Sequence, residues 1–155
     1  MKILIIGLPG SGKSTLAKPF ADLIGGVHIN ADAVRKEYND WDFTLEGRNR
    51  QSLRMKYIAD GVNKAGKIAV ADFVCPTHMT RLEFGADYTV WMDTIPEGRY
   101  ADTNVMFEKP DSVDYHVEAW FDNTAQQLSK VVDRYISRGN PTEINLSELG
   151  SEWDV

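Results

Sequence analysis

Apolar residues recur along this chain in two rhythms, short unbroken runs and three-to-four-residue steps, and their alternation predicts an α/β domain. Ile3 to Ile6 has no polar interruption, the pattern of a strand buried on both faces. From Lys13 to Ile24, the residues Leu16, Phe20, Leu23 and Ile24 step at helical spacing until Gly25-Gly26 stops them. Pro19 predicts a kink or a lost hydrogen bond in that helix. Val27 to Asn30 reads as a second strand, Ala33 to Tyr38 as a short helix, and Asn39 to Phe43 as a loop with two aromatics. Thr44 can cap a long helix running to about Lys64, with Leu53, Tyr57, Ile58 and Val62 as its predicted core stripe. Lys67 to Val74, Tyr88 to Met92 and Tyr115 to Trp120 read as three more strands, the last at an edge. Helices are predicted around Met79 to Phe84 and over Thr124 to Ser137. Residues 95–112 have weak periodicity and read as a mobile lid, and 140–155 as an acidic tail. Strands alternating with helices give a doubly wound parallel sheet with right-handed crossovers, while periodicity leaves strand order open.

Length and composition narrow the class. With 155 residues there is room for one domain, here drawn over 1–139, and not for two. Hydrophobic and charged fractions of 43% and 26% are those of a globular protein. Seventeen basic against 23 acidic side chains leave a net charge of −6, which argues against a large nucleic-acid footprint. Cys75 is the sole cysteine, so no intrachain disulfide forms and a reducing, cytoplasmic setting is expected. No run approaches a membrane span or the core of an export signal. The three histidines lie far apart with no zinc spacing, so the expected metal is Mg²⁺ carried in with a nucleotide.

The densest chemistry lies between the first strand and the first helix. Gly7 to Ser14 reads G-x-x-x-x-G-K-S, a phosphate-binding loop. Pro9, Gly10, Ser11, Gly12, Lys13, Ser14 and Thr15 are the expected nucleotide-binding residues. Glycines let successive N–H groups point at phosphate oxygens, and the helix N-terminus adds positive potential. Lys13 would reach the β- and γ-phosphates of ATP, and the Ser14 hydroxyl would ligate Mg²⁺. Asp32 falls at a strand end, where it could take a proton from an acceptor hydroxyl, hold Mg²⁺-bound water, or simply cap the next helix. Asp72, at the end of the third strand, is either a second carboxylate for metal-bound water or the cap of a turn. Arg35 could grip an anionic group, or pair with Glu37 or Asp32. Arg48, Arg50, Arg54 and Lys56 make one helix face basic, which is ordinarily a solvated face.

In combination these residues resemble the adenylylsulfate kinases. The family pattern is a phosphate-binding loop, D-G-D-N-hydrophobic-R, G-F-S-x-x-D-R-x-x-N, then S-F-I-S-P. It is matched here by Gly7 to Thr15, Asn30-Ala-Asp-Ala-Val-Arg35, Asp42-Phe-Thr-Leu-Glu-Gly-Arg48 and Asp72-Phe-Val-Cys-Pro76. The resemblance covers roughly residues 1–85. It implies a P-loop NTPase fold of the nucleoside-kinase-like kind, three-layered, with a five-stranded parallel sheet in the order 2-3-1-4-5. It also implies transfer of the ATP γ-phosphoryl to the 3′-hydroxyl of adenosine 5′-phosphosulfate, a step of sulfate assimilation, by a monomer or homodimer. Lys13 and Asp32 are then catalytic, and Ser14, Asp32 and Asp72 hold the Mg²⁺. Arg35, Arg48 and Gln51 hold the acceptor, and Phe43, Phe73 and Phe107 line or stack in its adenylyl pocket. Departures from the family pattern matter: Asn30 replaces an aspartate, Asp72 a serine, and Cys75 a second serine. The family's cation-rich lid is reduced here to Arg99 and Lys109.

Those departures open two alternatives. N-x-D-x-x-R followed by an aspartate ending the third strand also resembles phage-type polynucleotide 5′-hydroxyl kinases and related kinases of hydroxymethylated DNA bases. The chain could also be a non-enzymatic ATP-binding sensor.

Overall fold

A computed structural model describes residues 1–139; the expected acidic tail, 140–155, lies outside the described residues. Five parallel strands form one sheet in the order β2-β3-β1-β4-β5, the order the resemblance implied. They are β1 (Lys2–Ile6), β2 (Val27–Asn30), β3 (Ala69–Asp72), β4 (Tyr88–Met92) and β5 (Tyr115–Val117). Six helices connect them: α1 (Lys13–Ile24), α2 (Ala31–Tyr38), α3 (Leu45–Lys64), α4 (His78–Phe84), α5 (Ala101–Met106) and α6 (Thr124–Gly139).

Central β1 is apolar throughout because both its faces are covered. Ile3 and Ile5 point toward Leu16, Phe20, Leu128 and Val132 of α1 and α6. Leu4 and Ile6 point the other way, toward Val34, Met55, Ala59 and Phe84 of α2, α3 and α4. This three-layer arrangement sends every strand's carboxyl end to the same edge, where ligands bind in such sheets.

The elements differ from expectation in instructive places. α1 runs through Pro19 unbroken. Pro19 and Thr15 are both exposed, so the carbonyl that loses its partner is open to water. β3 is shorter than Lys67 to Val74, because the Lys67 N–H closes the end of α3 on the Val62 carbonyl. α2 starts at Ala31 and not Ala33, capped by the Asn30 side chain, which accepts from the Ala33 N–H at 2.9 Å. Within the expected lid there is a helix, α5, and Asn104 ties its side-chain amide to both backbone groups of Gly98.

α3 keeps half of the predicted stripe, Ile58 and Val62, which pack against the core, and corrects the other half. Leu53 and Tyr57 are exposed, Tyr57 at 74%, while Gly47, Arg48, Gln51, Ser52, Met55 and Ala59 are buried. The first turns of this helix bury polar side chains because they face a cleft and not an apolar core.

Candidate functional site

On the phosphate-loop side the backbone does the positioning. Gly12 sits in the left-handed region, φ 95°, and starts α1. Thr94, just past β4, donates its hydroxyl to the Ser11 carbonyl at 2.7 Å and braces the loop against the sheet edge. The Lys13 ammonium folds back onto the Leu8 carbonyl at 3.1 Å. Burial lowers its pKa to about 8, opposed by the carboxylates of Asp72 and Asp32. A cation this poorly solvated gains by meeting phosphate oxygens.

Beside Lys13 lies a polar cluster built across neighbouring strands. Asp72 ends β3 and is 2% exposed. The Ser14 hydroxyl donates to its Oδ1 at 3.1 Å, and the Asn30 amide donates to Ser14 Oγ at 3.0 Å and to Asp72 Oδ2 at 3.4 Å. His28, two residues before Asn30, hydrogen-bonds Asp72 Oδ2 from behind. Asp32 stands in the first turn of α2, exposed toward the same cleft. A hydroxyl and carboxylates are the hard oxygen donors that suit Mg²⁺. Among the described residues no group of three or more His, Cys, Asp or Glu side chains could hold a metal by itself. Phosphate oxygens would have to complete the coordination.

Opposite, side chains do the positioning. The 39–43 loop is pinned by arginines: Arg50 bonds Asp40 and Asp42, Arg54 bonds Asp40 at 2.7 Å, and Arg35 donates to the carbonyls of Asp40 and Asp42. These bonds hold the Asp40 carboxyl well below the usual carboxylate range, through Arg50 and Arg54. Asp42 is held at about 2, first by its bonds from Thr44 and then by Arg50. The basic helix face is thus mostly spent on this loop. What it fixes is Phe43, whose ring lies 4.4 Å from the Arg35 guanidinium and 5.4 Å from that of Arg48. Gly47 lets the loop come close, since a Cβ there would stand 2.1 Å from the Asp42 carbonyl oxygen.

Arg48 is different from the other arginines. It is 7% exposed, and its only side-chain hydrogen bond among the described residues is Nη2 to the Thr103 hydroxyl of α5, at 2.6 Å. Its Nε is buried without a partner, and no carboxylate among the described residues pairs with it. Burial, and then the neighbouring Arg35, lower its pKa. It is a buried cation with no carboxylate counter-charge among the described residues.

One cleft of about 1190 Å³ joins the two sides. Of the expected residues it brings together Pro9, Gly10, Gly12, Lys13, Ser14, Thr15, Asp32, Arg35, Phe43, Arg48, Gln51, Asp72 and Phe73. Ser11 lies behind it, with a buried hydroxyl. Phe107 lies outside as well: α5 ends at Met106, and Phe107 turns inward against the second core cluster with Arg81 over its ring. Met106, Thr103, Asp102, Tyr100 and Arg99 of the lid face the cleft in its place. Trp41 and Ser52 were not expected there, and neither was the His28 bond behind it. Period-two alternation places His28 on the same side of β2 as Asn30, which was the one available signal for it.

Residues 3–145 match the family model AAA_33, an AAA domain. The chain belongs to that family. A curated relative, a probable adenylyl-sulfate kinase of Aeropyrum pernix, is 33% identical over 90 residues. The match takes in 51% of this chain and 46% of the relative, so the chain spans about half of that protein's length. The resemblance to adenylylsulfate kinases is therefore borne out. Among solved structures, the Mycobacterium tuberculosis APS kinase CysC in complex with AMPPNP and APS superposes with a TM-score of 0.69 at 19% identity. That superposition covers 85% of this chain and 96% of the other. A gluconokinase from Sinorhizobium meliloti 1021 gives 0.61 at 16% identity, over 86% and 92%. At such identities the likeness is one of fold, and it spans kinases named for different acceptors.

Against this family background the domain's departures pair up in space. Asn30 and Asp72, standing for the pattern's aspartate and serine, are register partners across β2 and β3. Asp42 and Gly47 stand for its glycine and aspartate, and a Cβ on Gly47 would come 2.5 Å from the Asp42 carboxyl carbon.

Proposed function

We propose that the chain is an ATP-dependent kinase that moves the γ-phosphoryl to a hydroxyl of a small, anionic, nucleotide-like acceptor, with adenosine 5′-phosphosulfate the first candidate. The observation that carries this reading is Arg48, buried, without a carboxylate, and facing the same cleft as the phosphate loop. An unpaired buried guanidinium costs stability, and an anionic ligand that pairs with it offsets that cost.

In this reading residues 1–139 are one kinase domain with 95–112 as its lid. Loop N–H groups and Lys13 hold the β- and γ-phosphates, and Arg35, Arg48 and Gln51 hold the acceptor with its base against Phe43 and Phe73. Asp32 accepts the hydroxyl proton as the oxygen attacks phosphorus. Bound Mg²⁺, at Ser14 with Asp32 and Asp72 around its waters, would neutralise charge on the transferring group. No helix of the described residues is long and apolar enough to cross a membrane.

A second reading, a kinase of DNA 5′-hydroxyl ends or hydroxymethylated bases, is favoured by the lid. It turns Asp102, Thr103 and Met106 to the cleft with Arg99 as its one cation there, and Trp41 and Tyr100 are half-exposed at the cleft. Labelled ATP with Mg²⁺, offered adenosine 5′-phosphosulfate, a DNA 5′-hydroxyl end and hydroxymethylated DNA, decides between them. Label is expected on the small nucleotide. Label on DNA alone would establish the second reading.

A further inference from the structure

We infer that His28 is a positioning residue for the Asp72 carboxylate, and through it for the divalent cation that accompanies the nucleotide. This rests on the kinase reading above and adds to it a residue outside the cleft lining. Where the family pattern has the aspartate opening D-G-D and the serine opening S-F-I-S-P, this chain has Asn30 on β2 and Asp72 on β3, facing each other in register. The carboxylate now springs from the inner strand and is almost wholly buried. A buried carboxylate keeps one orientation only if its lone pairs are engaged.

Three donors supply that engagement. Ser14 bonds Oδ1, while Asn30 and His28 bond Oδ2. Ser14 and Asn30 face the cleft, where phosphates and metal would draw on them. His28 alone stands behind, on β2, with its side chain only 16% exposed. To an ionised carboxylate, which can only accept, His28 is able to donate through its Nε2–H tautomer. Its bond persists whatever occupies the front of the site. A partner holding a metal-site ligand from behind sets its orientation, and loss of such a partner typically costs about 10–100-fold in metal affinity.

Calorimetry on the full chain tests this with AMPPNP, without and with saturating Mg²⁺, so that no turnover is needed. The wild type should bind the nucleotide more tightly with Mg²⁺. His28→Phe should shrink that Mg²⁺ enhancement about 10-fold and leave metal-free affinity within about 2-fold. His28→Gln, which keeps an amide donor at similar reach, should retain most of it and serves if the Phe variant folds poorly. Asp72→Ser should lose the enhancement, and adding His28→Phe to it should cost nothing more, because the two act as one unit. An undiminished enhancement in His28→Phe, or an equal loss with and without Asp72, overturns the inference and leaves the kinase reading intact. A wild type indifferent to Mg²⁺ would overturn both.

Discussion

The two walls of the cleft are built by opposite means. On the phosphate-loop side, residues 7–12 link β1 to α1 and turn backbone N–H groups toward the cleft, with Gly10 and Gly12 both at positive φ to set their direction. On the opposite side, Arg35, Phe43, Arg48, Gln51 and Thr103 come from α2, a loop, α3 and α5, and the loop is held by ion pairs of Arg50 and Arg54 with Asp40 and Asp42. A wall made of backbone tolerates change in its neighbours and keeps its ligand. One made of side chains can change specificity by a few substitutions, which fits the spread of acceptors among the kinases of similar fold.

The largest effect should come from the donor wall. Lys13→Ala is expected to abolish phosphoryl transfer, a loss of at least about 10³-fold in single-turnover assays. A wild-type rate would remove the loop from the chemistry. Between the walls, Asp32→Asn should lower turnover at least about 10²-fold and leave nucleotide affinity nearly unchanged. An unaltered rate would reduce Asp32 to a surface carboxylate of α2, since Asn30 already caps that helix.

On the acceptor wall Gly47→Ala should push the 39–43 loop outward, costing about 1–3 kcal/mol in urea denaturation and weakening acceptor binding more than nucleotide binding. Equal losses for both ligands would mean the walls are not independent.

The smallest effect is one of pH. Burial lowers the Lys13 pKa to about 8 in the fold, against 10.5 for an ordinary lysine. The unfolded chain therefore binds the extra proton between those values, and ligand-free stability gains from this residue as pH rises through the window. Urea midpoints of wild type and Lys13→Met at pH 7.5 and 10 should diverge in that sense. ATP binding near pH 8 should take up a proton, visible as a buffer-dependent heat.

How much was readable in advance follows the same division. The phosphate loop is contiguous, so its spacing survives in the sequence, and β1 is apolar because both faces are covered. Asp72 was legible as a strand-end residue, while Asp32 lies two residues past β2 in the first turn of α2. α3 was not, because a helix facing a cleft buries Gly47, Arg48, Gln51 and Ser52, and a rule that equates buried with apolar picks Leu53 and Tyr57 instead. α5 was missed because six residues are too few to show a period. Phe107 was placed by analogy with a longer lid, and the end of α5 turns it into the core. Arg50 and Arg54 look like Arg48 in sequence, and only the fold shows that two of the three are already paired.

Arg48 stands without a carboxylate among the described residues, and the proposed function explains this by an acceptor anion. ADP release from Mg²⁺–ATP, measured with and without adenosine 5′-phosphosulfate, a DNA 5′-hydroxyl end or hydroxymethylated DNA, for wild type and Arg48→Met, tests it most directly. One acceptor should stimulate the wild type. Arg48→Met should weaken that stimulation by roughly 10²-fold while melting no lower than wild type, because it removes an unpaired buried charge. Acceptor-independent release in both proteins would contradict the claim and leave an ATP-binding module.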